Sequence, residues 1–416
     1  CAYVIGITGH DVLATLTTKI IKDAGRAEII SGKTGLAIKF INGTIAKNAL
    51  GTVVAGGGDV NNDGFDDVVV GTPKADDLRD PAHKIVDAGS VTVLFGPNGA
   101  HTETFYGTQA KSLSGSAIAL GDVNSDGKAD IIIGAPKADD LSDPLIKIID
   151  AGSVTVLSGE DFDELTTFYG EKAKAYAGTA VAVGDVDNNG SADVVVGTPN
   201  DDDLNDPLVK IIDAGSVTAY NIVGDILLQK YGTVAKAYLG KSVAIGDIDN
   251  DDYGDVLVGA PGDDTPATPS VKKIVDTGSV TVFSGIDGLP ITKKYGATAK
   301  AGLGNSVASA DVDDDGYADI IVGASKDDSP TLPKVTKDTG SVSVWSGNDY
   351  SLITTKYGAV SKDAFGTSVS AGNINNDGEI DVIIGIPGFD IPPVPNPKII
   401  KDTGLVKVLS GDQLGI

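Results

Sequence analysis

The 416-residue sequence is poor in the side chains that build disulfides, zinc centres and helices. Cys1 is the only cysteine, so no internal disulfide and no cysteine-based metal site can form. With only three histidines (His10, His83 and His101), a zinc centre is not expected. Of the 58 acidic residues, only six are Glu and the other 52 are Asp. Because Asp prefers turns, caps and oxygen-ligand metal loops, a helical fold is disfavoured.

Long hydrophobic runs are also missing. No apolar stretch approaches the roughly 20 residues that span a bilayer, and no basic and apolar signal segment opens the chain. An N-terminal Cys1 permits a lipid anchor, but the residues after it run directly into a strand pattern, so a truncated or processed start is the simpler interpretation. The net charge of −26 argues against nucleic acid and anionic membranes as partners and favours cations, calcium first.

The sequence is instead rich in glycine and in internal repetition. Its 54 glycines and its runs of Val and Ile are typical of a folded, turn-rich β protein. An apolar run ending in Gly recurs about every 63 residues, and Tyr-Val-Ile-Gly6 is a first copy. The later copies end at Gly71, Gly134, Gly197, Gly259, Gly323 and Gly385.

Each period contains four short strand signals, A to D, separated by Gly, Asp and Pro turns. Four strands per unit favour an all-β, seven-bladed β-propeller of four-stranded blades over an open solenoid. The whole chain, 1–416, is then a single propeller domain. The predicted units are approximately 1–49, 50–113, 114–176, 177–238, 239–302, 303–364 and 365–416.

The first and last units are incomplete. The first begins at strand B and lacks strand A, whereas the last stops after strand C and lacks strand D. Either the precursor is longer, or a neighbouring molecule supplies the missing strands. Strand donation would pair open sheet edges and is a route to a filament or array.

Six units carry an acidic loop between strands A and B, with oxygen-bearing side chains at positions 1, 3, 5 and 9 and a backbone carbonyl available at position 7. The residues at positions 1, 3, 5, 7 and 9 are Asp59, Asn61, Asp63, Phe65 and Asp67; Asp122, Asn124, Asp126, Lys128 and Asp130; Asp185, Asp187, Asn189, Ser191 and Asp193; Asp247, Asp249, Asp251, Tyr253 and Asp255; Asp311, Asp313, Asp315, Tyr317 and Asp319; and Asn373, Asn375, Asp377, Glu379 and Asp381.

This convergent layout suits a hard cation that takes six to eight oxygen ligands. A single loop of this kind is often an ordinary turn, but six in register predict about six Ca²⁺ sites. Counting carboxylates at positions 1, 3, 5 and 9 gives 19, with four each in the Asp247 and Asp311 loops and two in the Asn373 loop. We therefore expect the Asp247 and Asp311 loops to bind calcium most tightly and the Asn373 loop most weakly. Asp252, which replaces the usual Gly at position 6, is expected to adopt a left-handed backbone.

The motifs around these loops resemble a known repeat. Leu239-Gly240 or Phe365-Gly366 before strand A, the acidic loop, and Gly134-Ala-Pro or Gly259-Ala-Pro after strand B are similar to the FG-GAP repeat of integrin α-subunit propellers. The resemblance implies a seven-bladed propeller with Ca²⁺ in the A–B loops on one face. It also implies a ligand or partner surface on the opposite face.

The long B–C connections are nearly identical in several units and belong to that opposite face. Two interpretations compete for their acids, exemplified by Asp76, Asp77, Asp80 and Asp87. They form a second cation site, or they are solvated and cap turns while the Lys-Ile-Ile stretch packs over the blade or against a neighbouring molecule.

The sequence has no recognisable catalytic constellation. It lacks a Gly-x-Ser-x-Gly elbow, a phosphate loop and a zinc-hydrolase motif, so an enzyme is not predicted. We expect an extracellular or cell-surface calcium-binding propeller that forms a structural subunit of an assembly or filament, with itself or another surface protein as partner. An integrin-like adhesion or ligand-binding module is the alternative, and a propeller hydrolase or lyase is a third.

Overall fold

The structure is a computed structural model that describes residues 2–13, 20–96, 99, 101–206, 208–267, 272–330, 335–390 and 403–414. Cys1 lies outside the described residues, and the question of a lipid anchor there stays a prediction. No described helix is both long enough and apolar enough to span a bilayer. One helix, α1 (Gly411–Leu414), is present among the described residues.

The strands follow one another blade by blade, as the repeat predicts. Blade 1 contains β1 (Ala2–Ile7), β2 (Val12–Leu13), β3 (Ile20–Ile21), β4 (Arg26–Ser31) and β5 (Ala37–Asn42). Blade 2 contains β6 (Val53–Gly58), β7 (Asp67–Thr72), β8 (Ser90–Leu94) and β9 (Thr102–Tyr106). Blade 3 contains β10 (Ala117–Gly121), β11 (Asp130–Ala135), β12 (Asp140–Asp143), β13 (Ile146–Ile148), β14 (Ser153–Leu157) and β15 (Glu164–Tyr169).

The second half of the chain continues the pattern. Blade 4 contains β16 (Ala180–Gly184), β17 (Asp193–Thr198), β18 (Asp203–Asp206), β19 (Val209–Ile211), β20 (Ser216–Tyr220) and β21 (Ile226–Tyr231). Blade 5 contains β22 (Ser242–Gly246), β23 (Asp255–Ala260), β24 (Ser279–Phe283) and β25 (Pro290–Tyr295). Blade 6 contains β26 (Ser306–Ala310), β27 (Asp319–Ala324), β28 (Ser341–Trp345) and β29 (Leu352–Tyr357). Blade 7 contains β30 (Ser368–Gly372), β31 (Asp381–Ile386) and β32 (Leu405–Leu409).

Blades 2 to 6 are four-stranded antiparallel meanders in the order A-B-C-D, which confirms the predicted propeller. The sheet of blade 1 has the order β1-β4-β5, which corresponds to strands B, C and D, and blade 7 has only A, B and C. The incompleteness that the sequence predicts at both ends is therefore present in the described fold. Small hairpins, β2–β3, β12–β13 and β18–β19, rise from the B–C connections of blades 1, 3 and 4.

The hydrophobic core lies between blades, not within one layer. Strand B is apolar on both faces because it is buried on both, and every residue of β11, β17, β23 and β27 is buried. Alternate residues of one strand B enter different clusters: Ile320 packs with blade 5 and Ile321 packs with blade 7. Neighbouring blades are thereby joined by the hydrophobic effect through every second side chain.

Two glycines of the repeat meet where neighbouring blades approach each other. A Cβ on Gly134 would lie 2.2 Å from the carbonyl oxygen of Gly178 in the next blade, and a Cβ on Gly197 would lie 2.1 Å from that of Gly240. The same contact recurs from Gly6 to Gly51 at the start of the ring. These positions require glycine because a side chain would collide with the backbone of the next blade.

Blades 7 and 1 meet differently. The atoms nearest to a Cβ on Gly385 would belong to Ser368 of its own blade, and the described part of blade 1 has no strand A to approach it. On the other face, Gly32 of blade 1 lies against the backbone of Ile374 in blade 7. This contact matches the one between Gly347 of blade 6 and Ile248 of blade 5. Blade 1 therefore follows blade 7 around the ring, and the two are joined at the face that carries the acidic loops.

The alternation of strand direction defines two faces. The A–B and C–D connections lie on one face, which we call the A–B face. The B–C connections and the D-to-A links between blades lie on the other, which we call the B–C face.

Gly32 provides a test of ring closure. We expect Gly32→Ala to lower the free energy of unfolding by about 1–3 kcal/mol, because the added methyl group collides with a backbone that cannot move freely. Gly9→Ala in the same blade is the control, since a Cβ there meets nothing within 4 Å. Chemical denaturation of both variants measures the difference, and equal stabilities would contradict this account of the blade 7 to blade 1 contact.

Candidate metal centres in the A–B loops

The Asp at position 9 is the first residue of strand B and anchors the loop. Its side chain is buried in all six units, with 0–2% of its surface exposed. One carboxylate oxygen accepts a hydrogen bond from the backbone N–H at position 2, for example Val312 to Asp319 at 2.9 Å. The other accepts from the glycine after strand C, for example Gly347 to Asp319 at 3.0 Å. The residue therefore joins the A–B loop to the C–D turn.

The Asp at position 1 shapes the turn itself. In blade 6, the Asp311 carboxylate accepts from the backbone N–H of Asp315 at 3.1 Å and of Gly316 at 2.9 Å. The Asp315 carboxylate in turn accepts from the N–H of Tyr317 at 3.0 Å. Positions 4 and 6 have left-handed backbones, as at Asp314 with φ 58° and Gly316 with φ 90°. These bonds turn the side chains at positions 1 and 5 toward one point.

Asp252 adopts the left-handed backbone that the sequence predicts, with φ 71°. Its N–H still donates to Asp247 at 3.0 Å, as the glycines do in the other loops. The substitution therefore preserves the geometry of the turn.

Position 3 divides the loops into two groups. Where it is Asn, the amide donates to the carboxylate at position 5: Asn61 to Asp63 at 3.1 Å, Asn124 to Asp126 at 2.9 Å, and Asn375 to Asp377 at 2.7 Å. Where it is Asp, in blades 4, 5 and 6, no such amide exists and a second negative charge takes its place. Loops with Asn therefore satisfy part of their own acceptors, whereas loops with Asp lack this bond and carry one more negative charge.

Three acidic groups converge in each of those three loops. One carboxylate oxygen from each member lies within 4.8 Å of the others in Asp185, Asp187 and Asp193, in Asp247, Asp249 and Asp251, and in Asp311, Asp313 and Asp315. Among the residues that the structure describes, these are the groups of three or more His, Cys, Asp or Glu arranged for a metal ion. Such all-oxygen clusters suit a hard cation.

Blade 4 uses position 9 where blades 5 and 6 use position 5. Position 5 of blade 4 is Asn189, and residue 222 after strand C is Ile where neighbouring blades have Gly. Asp193 keeps its bond from Val186 at 2.9 Å and joins the acidic group. Two sequence differences therefore distinguish this blade: Asn189 at position 5 of the loop and Ile222 in the C–D turn.

Buried side-chain oxygens without a hydrogen-bond partner indicate whether a cation would fit in the A–B loops. Oδ1 of Asp249, Oδ1 of Asp313 and Oδ1 of Asn373 are buried and have no hydrogen-bond partner. A buried acceptor without a partner costs free energy, and a bound cation would supply the missing interaction. The side chains at positions 1, 3 and 5 therefore fit a metal ion of the calcium type.

The electrostatics agree with that fit. Burial, followed by the charge of Asp251, raises the pKa of Asp249, and burial with the charges of Asp315 and Asp311 raises that of Asp313. Burial raises the pKa of Asp193 to about 6 and the pKa values of Asp255 and Asp319 to about 7. Because these values exceed those of an unfolded chain, ionisation between about pH 4 and pH 7 disfavours the metal-free fold.

The position-7 residues (Phe65, Lys128, Ser191, Tyr253, Tyr317 and Glu379) donate their backbone N–H to the side chain at position 5. The role of these residues as carbonyl ligands stays a prediction. The ranking of the six loops by calcium affinity also stays a prediction. So does the ligand role of the Asp at position 9 in the blades where both of its oxygens accept hydrogen bonds from backbone N–H groups.

The loops of neighbouring blades are linked through their backbones. The N–H at position 8 of one loop donates to the carbonyl at position 1 of the loop before it: Ala129 to Asp59, Ala192 to Asp122, Gly254 to Asp185 and Ala318 to Asp247, at 3.0–3.1 Å. The sequence pattern does not reveal this link, because it joins residues one whole blade apart.

The acids of the B–C connections have other partners. Asp76 pairs with Lys84 at 2.8 Å and accepts the N–H of Asp87 at 2.9 Å, while Asp77 pairs with Arg79 at 2.8 Å. The same lysine pairing recurs at Asp139, Asp264 and Asp328. These contacts favour the turn-capping interpretation over a second cation site. The apolar residues beside them remain exposed, with Ile149 at 45% and Ile212 at 48%, so these two do not pack over the blade, and packing against a neighbouring molecule stays a prediction.

A β-propeller whose A–B hairpin loops gather acidic side chains is the class of protein that this fold and these loops define. The chain belongs to the FG-GAP repeat family, whose model matches residues 50–94, 114–157, 177–220, 239–283, 303–345 and 365–409. These segments cover blades 2 to 7 from strand A through strand C.

Curated relatives are integrin alpha subunits. Integrin alpha-5 of Xenopus laevis is 29% identical over 234 residues, covering 51% of this chain and 20% of that protein. Integrin alpha-V of Gallus gallus is 28% identical over 220 residues with the same coverage. Integrin alpha pat-2 of Caenorhabditis elegans is 29% identical over 246 residues, covering 54% of this chain and 19% of that protein. The alignments thus cover about a fifth of each of these relatives, and the chain is an integrin-like propeller module.

A solved structure supports the fold alone. The crystal structure of BBS1N in complex with ARL6DN, soaked with lead, superimposes with a TM-score of 0.52 and 9% identity, covering 97% of this chain and 92% of that one.

A substitution at position 3 is expected to change the melting temperature differently in a chelator and in Ca²⁺. We expect Asp313→Asn to raise the melting temperature slightly or leave it unchanged in a chelator, because it removes a repelling charge and supplies the amide bond found at Asn61. In millimolar Ca²⁺ the same variant is expected to melt below the wild type, because a charged ligand is lost. Thermal unfolding with EGTA and with CaCl₂ measures both effects. Destabilisation of equal size in both conditions would contradict a metal role for Asp313.

Position 9 is expected to behave differently. Asp319→Ala leaves the N–H groups of Val312 and Gly347 without their acceptor, at a cost of about 1–3 kcal/mol each. The loss of stability should therefore appear in chelator as well as in Ca²⁺. Asp315→Ala, at the exposed position 5, is the comparison variant. If Asp319→Ala destabilised the protein only in the presence of Ca²⁺, the structural role assigned to Asp319 would be wrong.

Proposed function

We propose that this chain is a calcium-stabilised extracellular propeller that serves as a binding module, with the A–B face holding Ca²⁺ and the B–C face meeting a partner. The observation that carries the calcium assignment is the convergence of three carboxylates in each of three neighbouring loops, with buried oxygens of Asp249 and Asp313 unpaired. The acidic side chains at positions 1, 3 and 5 would hold the ion, which would cancel their mutual repulsion.

The charge of the chain supports an extracellular setting. At a net charge of −26, six bound Ca²⁺ would bring the total to −14, which is −26 plus 12. Sites with dissociation constants of about 10⁻⁴–10⁻³ M are filled outside cells, where calcium is abundant, and not in the cytosol. The similarity to integrin alpha subunits points the same way.

The B–C face has the features of an interaction surface. Its hairpins in blades 3 and 4 carry large apolar side chains at their tips, with Leu145 and Leu208 each 91% exposed. Exposed apolar side chains close together mark sites of protein contact. We infer a non-enzymatic role, because the relatives are integrin alpha subunits and the sequence lacks a Gly-x-Ser-x-Gly elbow, a phosphate loop and a zinc-hydrolase motif.

A second candidate function is self-assembly by strand exchange. Among the described strands, β1 has no partner on its strand-A side and β32 has none on its strand-D side. Both are less buried than their counterparts: β1 has no buried residue, and β32 has one, Leu409. Such open edges accept a strand from another chain by β-augmentation. We propose this route as the structural-subunit alternative, with another copy of the chain as partner.

Chelation tests the calcium assignment. EGTA should lower the melting temperature sharply, and millimolar Ca²⁺ should restore it, because ligands that bind only the folded state stabilise it by mass action. Isothermal titration should give about six sites, and the triple variant Asp187→Ala, Asp249→Ala, Asp313→Ala should lose the tightest ones. An identical melting temperature with and without Ca²⁺ would refute the assignment, and Mg²⁺ at the same ionic strength controls for screening.

Electron microscopy tests the assembly route. Negative-stain images of purified protein in Ca²⁺ are expected to contain linked rings or filaments that increase with concentration if strands are exchanged. A Pro replacement at Lys407 in β32 removes a backbone donor from the strand and should reduce linkage. Separate rings over a wide concentration range would leave the binding-module function and remove self-assembly.

A further inference from the structure

A pocket of about 330 Å³ opens on the B–C face at blades 3, 4 and 5. Its walls include the proline that follows strand B in each of the three blades: Pro136, Pro199 and Pro261. This volume is at the small end of ligand pockets, and it suits a short segment rather than a whole domain.

The pocket is lined by a position at which the residue type differs from blade to blade. Tyr176 and Tyr238 line it at equivalent positions just before strand A. The same position is Ala49 in blade 2, Leu113 in blade 3, Gly302 in blade 6 and Ala364 in blade 7, so only blades 4 and 5 carry an aromatic residue there. The blades are otherwise close copies, so two adjacent tyrosines at this position form a local, non-repeated surface.

The tyrosines occupy a costly backbone conformation. Tyr176 has φ 60° and Tyr238 has φ 57°, in the left-handed region that bulky residues seldom adopt. The glycine in blade 6 meets the same backbone requirement without strain. Gly262 also leaves room for Tyr238, because a Cβ on Gly262 would lie 2.9 Å from the ring. The left-handed backbone recurs at Ala49, Leu113 and Ala364, with φ 55°, 57° and 55°, so it belongs to the link before strand A in every repeat.

Two lysines give the pocket a positive charge in an acidic protein. Lys137 and Lys241 line it, and both side chains are exposed. Among the described residues neither has an ion pair, whereas Lys147 and Lys172 pair with Asp139 and Asp201. Partial desolvation at the pocket lowers the pKa of the Lys241 ammonium. An anion placed here would meet two ammonium groups that form no ion pair among the described residues.

We propose that this pocket binds an acidic, extended peptide segment of a partner protein, with a Glu or Asp carboxylate between Lys137 and Lys241 and the peptide backbone against the tyrosine and proline walls. Aromatic side chains beside proline form the grooves that receive extended, polyproline-type segments. Charge-assisted hydrogen bonds from the two ammonium groups select the carboxylate. The inference deepens the proposed binding-module function and rests on it.

The surroundings favour a protein over a small free acid. Pro136 and Pro199 are the roots of the B–C connections that carry the hairpins β12–β13 and β18–β19. The tips of these hairpins carry the exposed Leu145 and Leu208. A partner that inserts a segment into the pocket would cover these tips, whereas a small molecule would leave them in water.

The test measures binding of a labelled probe to the full chain in Ca²⁺. The probe is a fluorescein-labelled, capped peptide of alternating Pro and Glu, and two matched peptides replace every Glu by Gln or by Lys. Fluorescence anisotropy at low salt should detect the Glu peptide, with the Gln peptide at least about tenfold weaker. Added NaCl should weaken the binding because the carboxylate contacts are exposed to screening.

Variants place the contact within the pocket. Lys241→Thr and Tyr238→Ala introduce residues that other blades already carry at the same positions, as at Thr179 and Ala49, so both are expected to fold. Each should weaken binding of the Glu peptide by about tenfold. Lys74→Asn is the control, because Lys74 occupies in blade 2 the position of Lys137 and does not line the pocket. Its affinity should match the wild type.

Several outcomes overturn the inference. Equal binding of the Glu and Lys peptides would exclude carboxylate recognition, and unchanged affinity in Lys241→Thr would exclude this pocket. An oligoglucuronate that binds as tightly as the Glu peptide would exclude peptide selectivity. Calcium-dependent melting of the same samples separates the two proposals: normal melting without peptide binding refutes the pocket alone, whereas binding without calcium-dependent melting refutes the calcium assignment alone.

Discussion

The buried aspartate at the start of strand B is the interaction on which the rest of each blade depends. In blades 2, 3, 5 and 6 its two oxygens accept backbone N–H groups from the A–B loop and from the C–D turn. Burying a carboxylate costs free energy, and here that cost is offset because both oxygens accept hydrogen bonds. The buried aspartate thereby anchors the A–B loop that precedes it. The acidic side chains at positions 1, 3 and 5 converge in blades 5 and 6.

Position 3 decides how much each loop needs the cation. An amide at position 3, as in Asn61, donates a hydrogen bond to the carboxylate at position 5, so the loop satisfies one of its own acceptors. A carboxylate there, as in Asp313, adds repulsion and leaves a buried oxygen unpaired. The three loops that carry Asp are neighbours in the ring, and backbone bonds link them to one another. The clusters of three acidic groups that could hold a metal are therefore concentrated in blades 4 to 6, on the face opposite the tyrosine-lined pocket of blades 3 to 5.

Much of the fold could be predicted from the sequence because each repeat contains the same pattern of residues. Strand B, buried on both faces, has to be a run of Val and Ile, and glycine has to follow where the next blade approaches. The six acidic loops, the incomplete end blades and the left-handed Asp252 follow from local spacing and from backbone preferences. The partners of the B–C acids could not be chosen in advance, because a run of Asp is equally compatible with a cation or with a lysine such as Lys84.

The sequence by itself determined the propeller, its strands and the positions of the acidic loops, because these depend on residues close together in the chain. Only the tertiary structure decided which contacts form between blades. The junction at Gly32 depends on closure of the ring, and the meeting of Tyr176 and Tyr238 in one pocket depends on the packing of adjacent blades. Adjacent blades bring together residues about 60 positions apart, and ring closure joins the two ends of the chain, so no local spacing in the sequence indicates either contact.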